Sequence, residues 1–143
     1  MRMGRLEGRT ALVVGASSRD NMGQHIARRL MAEGASVMVS GRKADVLERF
    51  AGETGCQWHA CDLADETSIA ALADAASAGL GGIDIAINAT GWGLLKPFLD
   101  HTHQDLLDMT ALQFIGPFHF CQAMVRKMAR STGGRGGSII QIS

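Results

Sequence analysis

A chain of 143 residues is long enough for one domain with a substantial core and short for two. Its 14 basic side chains balance 14 acidic ones, and no basic stretch carries interleaved aromatics, so nothing points to nucleic acid. No apolar run approaches the roughly 20 residues of a membrane span, the charged N-terminus lacks a signal-peptide core, and Cys56, Cys61 and Cys121 show no CxxC metal spacing; a cytoplasmic protein with reduced thiols and no metal is expected.

Short β-rich runs alternate with longer helical patterns along the chain. Thr10–Val14 is apolar and β-branched and runs straight into Gly15. Residues 24–33 place Ile26, Ala27, Leu30 and Met31 at helical spacing, with Gly34 as a C-cap candidate. Residues 36–40 read as a second strand ended by Gly41, and residues 43–51 put Val46, Leu47, Phe50 and Ala51 on one helix face. Residues 56–60 form a weaker third strand. Residues 65–78 form a helix with Ile69, Leu72, Ala73 and Ala76 inward, and residues 83–87 a fourth strand. Residues 102–130 read as one long helix, opened by Thr102 and Asp105 in a capping-box spacing. After the glycine-rich loop 133–137, residues 138–142 form a fifth strand. Near-continuous apolar strands joined by helices predict a doubly wound, Rossmann-type α/β fold. The expected parallel sheet has strand order 3-2-1-4-5 and lies in a single domain over residues 1–143.

The first turn, from Gly15 to Gly23, follows a strand and opens a helix. A glycine there lets the backbone approach a pyrophosphate, and the helix N-terminus offers it N–H groups and a partial positive charge. Dinucleotide sites that prefer NAD place a carboxylate at the end of the second strand, about 20 residues past the glycine loop. Here that position reads Ser40-Gly41-Arg42. A carboxylate would repel a 2′-phosphate, whereas the Arg42 fork can bind one, with Arg19 of the glycine loop within reach of the same group. NADP(H) is therefore expected over NAD(H). The plainer alternative is that Arg42 only caps the strand in solvent.

Residues 10–27 resemble the opening of the short-chain dehydrogenase/reductase family, a Thr-Gly-x-x-x-Gly-x-Gly loop followed by Ile-Ala. Gly15 and Gly23 match the outer glycines. Val14 replaces the usual threonine, Arg19 and Asp20 look like an insertion, and Asn21 stands where the middle glycine belongs. The resemblance implies cofactor contacts from Gly15, Ser17, Ser18, Arg19, Met22 and Gly23. Cys61-Asp62-Leu63 resembles the family's Asp-Val/Leu pair, which implies that Asp62 and Leu63 border the adenine, although Asp-Leu before a helix is also a routine cap. Residues 84–91 resemble the Asn-Asn-Ala-Gly signature. Asn88 would tie the fourth strand to its neighbour, and Ala89 and Gly91 would lie along the cofactor ribose. Trp92 beyond them is either a wall of the substrate site or a packing residue.

Residues 112–118 resemble the segment in which relatives carry an asparagine that supports a proton-relay water; Gln113 occupies that position, as a candidate relay residue or a surface glutamine. Residues 137–143 resemble the Gly-Ser-Ile-Val-Asn-Ile-Ser strand, after which relatives place the catalytic serine and then Tyr-x-x-x-Lys. That tyrosine passes a proton to the substrate oxygen as hydride moves, and this chain contains no tyrosine. The resemblance thus implies an NADP-dependent oxidoreductase for a small carbonyl, alcohol or activated-alkene substrate. It appears as a cofactor-binding part, truncated after strand five, that lacks the main catalytic set and is inactive alone. A non-catalytic dinucleotide-binding or regulatory protein is the alternative. A Rossmann-like methyltransferase would want an acid where Gly41-Arg42 stands.

Two expectations concern the surface. Apolar residues of segment 102–130, from Leu106 to Met128, exceed one helical stripe. Relatives pair this helix across a two-fold axis, which implies a homodimer or homotetramer. The fifth strand, with Ile139, Ile140, Gln141 and Ile142, carries no charge or proline to blunt it as a sheet edge, so residues 1–143 alone are expected to aggregate.

Overall fold

The computed structural model describes residues 4–91 and 93–143, so Trp92 lies outside the described residues. Thr10–Val14 (β1) is buried throughout because both of its faces are covered. Ala11 and Val13 enter one core and Leu12 and Val14 the other, as the two-residue period of a strand requires. β1 leads through Met22–Ala32 (α1) to Ser36–Gly41 (β2), Ala44–Thr54 (α2), Gln57–Ala60 (β3), Glu66–Leu80 (α3) and Ile85–Asn88 (β4). His103–Thr110 (α4), Gly116–Met128 (α5) and Ser138–Gln141 (β5) follow.

The sheet has the order β3-β2-β1-β4-β5 and every pairing is parallel, as the alternating pattern predicts. Val14 stands beside Ser40 on β2 and Asn88 on β4, which aligns the carboxyl ends of the three central strands. Ala27, Leu47 and Phe50 of α1 and α2 pack on the Ala11/Val13 face. Ile69, Leu72, Phe120 and Met124 of α3 and α5 pack on the other. The inward set expected of α3 is buried at all four positions. Among the described residues, no helix is long and apolar enough to cross a membrane.

The long helix expected over residues 102–130 is instead interrupted. Its start holds, because Thr102 and Asp105 form the reciprocal capping box. A single wide π turn, Ala111–Ile115, then separates α4 from α5, and the Gly116 amide donates five residues back to the Ala111 carbonyl. The physical reason is Pro117. It has no N–H to give the Gln113 carbonyl four residues upstream, and its ring would crowd that carbonyl in a regular helix. One inserted residue relieves both conflicts and leaves Pro117 in the first turn of α5. The α-helix ends at Met128, and Arg130–Thr132 forms a 3-10 turn.

Candidate active site

A cleft of about 350 Å3 opens at the carboxyl ends of β1, β2 and β4, where the strand order reverses. The β1–α1 loop forms its floor. The Gly15 and Ala16 amides donate to the Ser40 carbonyl, both at 2.9 Å, and the Ala89 amide donates to the Val14 carbonyl at 2.8 Å. Gly15 has φ +101°, and a Cβ there would lie 2.6–2.7 Å from the backbone of Ala89 and Thr90. Only glycine lets the loop pass this close to the end of β4.

Asn21 does not stand in for a glycine; it is the N-cap of α1. Its Oδ1 accepts from the Gln24 amide at 3.0 Å, and its Nδ2 donates to the Gly15 carbonyl at 2.8 Å. Gln24, almost wholly buried, donates from Nε2 to the Ala16 carbonyl at 2.9 Å and accepts the Asp20 amide at 3.0 Å. The Asn21 cap and Gln24 of α1 therefore lace the loop to the helix start. The inserted Asp20, at φ 52°, is the one non-glycine with positive φ among the described residues. Of the first-turn amides of α1, that of Gln24 is taken by the Asn21 side chain, and Met22 brings the start of the helix to the cleft.

At the β2 end, Gly41 packs so tightly on Ser17 that a Cβ at position 41 would run into the Ser17 hydroxyl. A carboxylate side chain there would require the Ser17 hydroxyl to rotate and the loop to give by a few tenths of an ångström. Arg42 follows it at the rim of the same cleft.

Of the residues expected at the cofactor, Gly15, Ser17, Ser18, Met22, Arg42, Leu63, Ala89 and Gly91 line the cleft together. Gly23 sits behind the loop, where a Cβ would strike the Gly15 carbonyl. Asn88 lies beneath it, 2% exposed. Its Nδ2 donates to Gln141 Oε1 of β5 at 2.7 Å, which is the expected tie between neighbouring strands. The structure does not bring Arg19 or Asp62 into the lining. Arg19 pairs with Asp20 at 3.7 Å and borders a separate groove between α1 and α2 with Arg28, Arg49 and Glu53. The Asp62 carboxylate accepts the Ala64 amide at 2.9 Å in a local turn, and the Asp62 amide donates to Ser68 Oγ at 3.0 Å.

Gln113 is exposed on the π turn, and it is its neighbour Leu112 that lines the cleft. Val14, Asn21, Gly41, Cys61 and Thr90 complete the wall. Burial pushes the Cys61 thiol up, so it lines the cleft as a neutral group and not as a nucleophile. Among the described residues no cluster of His, Cys, Asp and Glu could hold a metal.

A parallel sheet in this order, with a glycine turn and a helix N-terminus at its switch point, defines a dinucleotide-binding Rossmann-type protein. The residues present suit such a ligand: three glycines hold the space a side chain would fill, and a guanidinium rather than a carboxylate stands at the end of β2. Comparison with known proteins carries this further. The family profile described as Enoyl-(Acyl carrier protein) reductase matches residues 15–143. The chain belongs to the short-chain dehydrogenase/reductase family. It is 36% identical over 135 residues to D-threitol dehydrogenase of Mycolicibacterium smegmatis, covering 91% of this chain and 51% of that protein. It is equally identical over 135 residues to 7alpha-hydroxysteroid dehydrogenase of Escherichia coli, covering 91% and 52%. Among solved structures, a metagenomic short-chain oxidoreductase in complex with NADP superposes with a TM-score of 0.85 at 30% identity, over 96% of this chain and 63% of that one. The chain spans about half the length of the curated relatives it matches.

Proposed function

We propose that the whole protein is an NADP(H)-dependent oxidoreductase that moves a hydride between the cofactor and a small carbonyl, alcohol or activated-alkene substrate. Residues 1–143 are then its dinucleotide-binding domain, incomplete relative to the family. The observation that carries this reading is the Gly41–Arg42 pair at the cleft. A side chain at 41 would meet the Ser17 hydroxyl and Cβ, and the guanidinium next to it suits a 2′-phosphate.

Bound NADPH supplies the hydride; this chain binds and orients it. Gly15, Ser17, Ser18 and the start of α1 would hold the pyrophosphate, and Leu63, Ala89 and Gly91 would flank the adenine and ribose side. Arg19 would have to leave Asp20 to join Arg42 on the phosphate, and Asp62 would have to leave its turn. Gln113 would serve where relatives use an asparagine. A Tyr-x-x-x-Lys pair would have to come from polypeptide outside these 143 residues, since the chain has no tyrosine. The three free thiols suit a reducing cytoplasm.

In calorimetric titration of the whole natural polypeptide, NADPH should bind more tightly than NADH by about 1–3 kcal/mol, the size of one or two charge-assisted hydrogen bonds. Arg42→Ala should erase most of that difference. Equal affinities before the substitution would refute the assignment.

The same reading includes a homodimer or homotetramer. α5 buries Phe120, Ala123, Met124 and Met128 in the core, yet Phe118 and Val125 on its other side are more than half exposed. Leu106, Leu107 and Phe114 continue that apolar surface on α4 and the π turn. A helix apolar on two faces wants a second partner. Light scattering on the whole polypeptide at micromolar concentration should give a dimer or tetramer mass; a monomer mass alone refutes the assembly.

A further inference from the structure

Gln141 lies at the last position of β5, outside the cleft, yet its amide is wired to the cleft wall. Gln141 Oε1 accepts from Asn88 Nδ2 at 2.7 Å, and Gln141 Nε2 donates to the Pro117 carbonyl at 3.1 Å and to Cys121 Sγ at 3.0 Å. Asn88 Oδ1 in turn accepts from the Thr90 amide at 3.1 Å and from the Thr90 hydroxyl at 2.6 Å. Thr90 lines the cleft between Ala89 and Gly91.

The polarity of this chain is fixed from both ends by backbone groups. The Thr90 N–H can only donate, so the Asn88 oxygen must face it and the Asn88 NH2 must face β5. That NH2 needs an acceptor, so Gln141 must present its oxygen. Its own NH2 is then left pointing at α5, where the Pro117 carbonyl accepts. A backbone carbonyl has two lone pairs, so the Pro117 oxygen in the first turn of α5 can take this donor beside its helical one. A leucine, methionine or lysine at position 141 would offer Asn88 no acceptor.

We propose that Gln141 is a positioning residue for cofactor binding: through Asn88 it fixes the orientation of Thr90 and so the wall of the cleft that Ala89–Gly91 form. It couples the start of α5 to that wall across the β4–β5 pair. The inference rests on the reading of the cleft as an NADP(H) site.

The test uses the whole natural polypeptide and two ligands. NADPH spans the cleft, whereas adenosine 2′,5′-bisphosphate carries only the part suited to Arg42 and the β2 end. Gln141→Met keeps the volume and removes both hydrogen-bonding ends. It should weaken NADPH binding roughly tenfold, the factor that about 1.4 kcal/mol produces, and leave the bisphosphate within twofold of the parent protein. Gln141→Glu keeps an acceptor for Asn88 while water serves the exposed Pro117 carbonyl, so it should recover NADPH binding to within threefold. If Gln141→Met leaves NADPH binding within twofold, the proposal is overturned. It is also overturned if both ligands weaken together, because the residue is then only holding the fold, or if Gln141→Glu fails to recover the loss. If the unsubstituted protein binds neither ligand, the NADP(H) reading itself fails, and Gln141 with it.

Discussion

Replacing Gly15 by alanine should weaken NADPH binding roughly 100-fold, or about 2.7 kcal/mol, and lower stability by about 1–3 kcal/mol from backbone strain alone. Two costs coincide at this residue. Its φ of +101° is one that residues with a Cβ rarely adopt, and the new methyl would lie 2.6–2.7 Å from the Ala89 and Thr90 backbone. Neither neighbour can yield easily. The Ala89 amide is bonded to Val14, and the Thr90 amide to the buried Asn88. The loop itself must lift, taking with it the Gly15 and Ala16 amides that it holds on Ser40. Gly55 provides the control. It also has positive φ, +77°, but open space where its Cβ would go. Gly55→Ala should therefore cost stability by strain and leave cofactor affinity alone. Fluorescence titration with NADPH and thermal unfolding of both variants separate the two effects. Gly15→Ala binding NADPH within threefold of the parent protein would remove the close loop–β4 contact as the basis of the site.

The strands were legible because burial on both faces leaves a mark that one position cannot blur. Thr10–Val14 and the strand ending at Gly41 are apolar at successive positions, and each is buried over nearly its whole length. α3 was equally plain, with every expected inward residue buried. The interruption of the segment 102–130 leaves little trace in the pattern, because a π turn adds one residue without ending the helical periodicity on either side. Its signal was local: a proline four residues after Gln113, which deprives that carbonyl of its donor. At Asn21, alignment with a family glycine masks a helix cap. The spacing Asn21-x-x-Gln24 already had the form of a cap. Arg19 and Asp62 were placed by sequence position, but side-chain direction depends on local geometry. Arg19 pairs with the left-handed Asp20 and borders the α1–α2 groove, and Asp62 closes a turn of its own before α3. Gln141 carried no signal at all, since its partners are 53 and 24 residues away in sequence.

Asp84→Ala should destabilise the fold by about 2–4 kcal/mol, the range between losing a charge-assisted hydrogen bond and breaking a buried ion pair. The Asp84 side chain, 7% exposed, lies at the opposite end of the sheet from the cleft. Its Oδ2 accepts from the Thr10 amide at 3.0 Å and the Thr10 hydroxyl at 3.2 Å, and its Oδ1 accepts from Arg135 Nε at 3.1 Å. Its backbone carbonyl takes the Ser138 amide at 2.9 Å, so this residue joins β1, β4 and the entry to β5. Arg135→Ala should cost less, about 1 kcal/mol, because half of that guanidinium is already in water. Arg135, and then Thr10, hold the Asp84 carboxyl below the ordinary aspartate value of 3.8, against the desolvation that would raise it. A lowered folded-state pKa means that the carboxylate stabilises the fold fully above that ordinary value. The contribution is then lost as pH falls from near 4 through the folded-state value. Glu33 and Asp105 are lowered too, by Arg5 and by Lys96 respectively, so the parent protein will lose stability in acid from several groups at once. The informative quantity is the difference between parent and Asp84→Asn in urea unfolding between pH 7 and pH 3. That difference should be largest at neutral pH and shrink toward acid. A difference that stays constant with pH, or grows as pH falls, would mean that the Asp84 charge is not what holds the bottom of the sheet together.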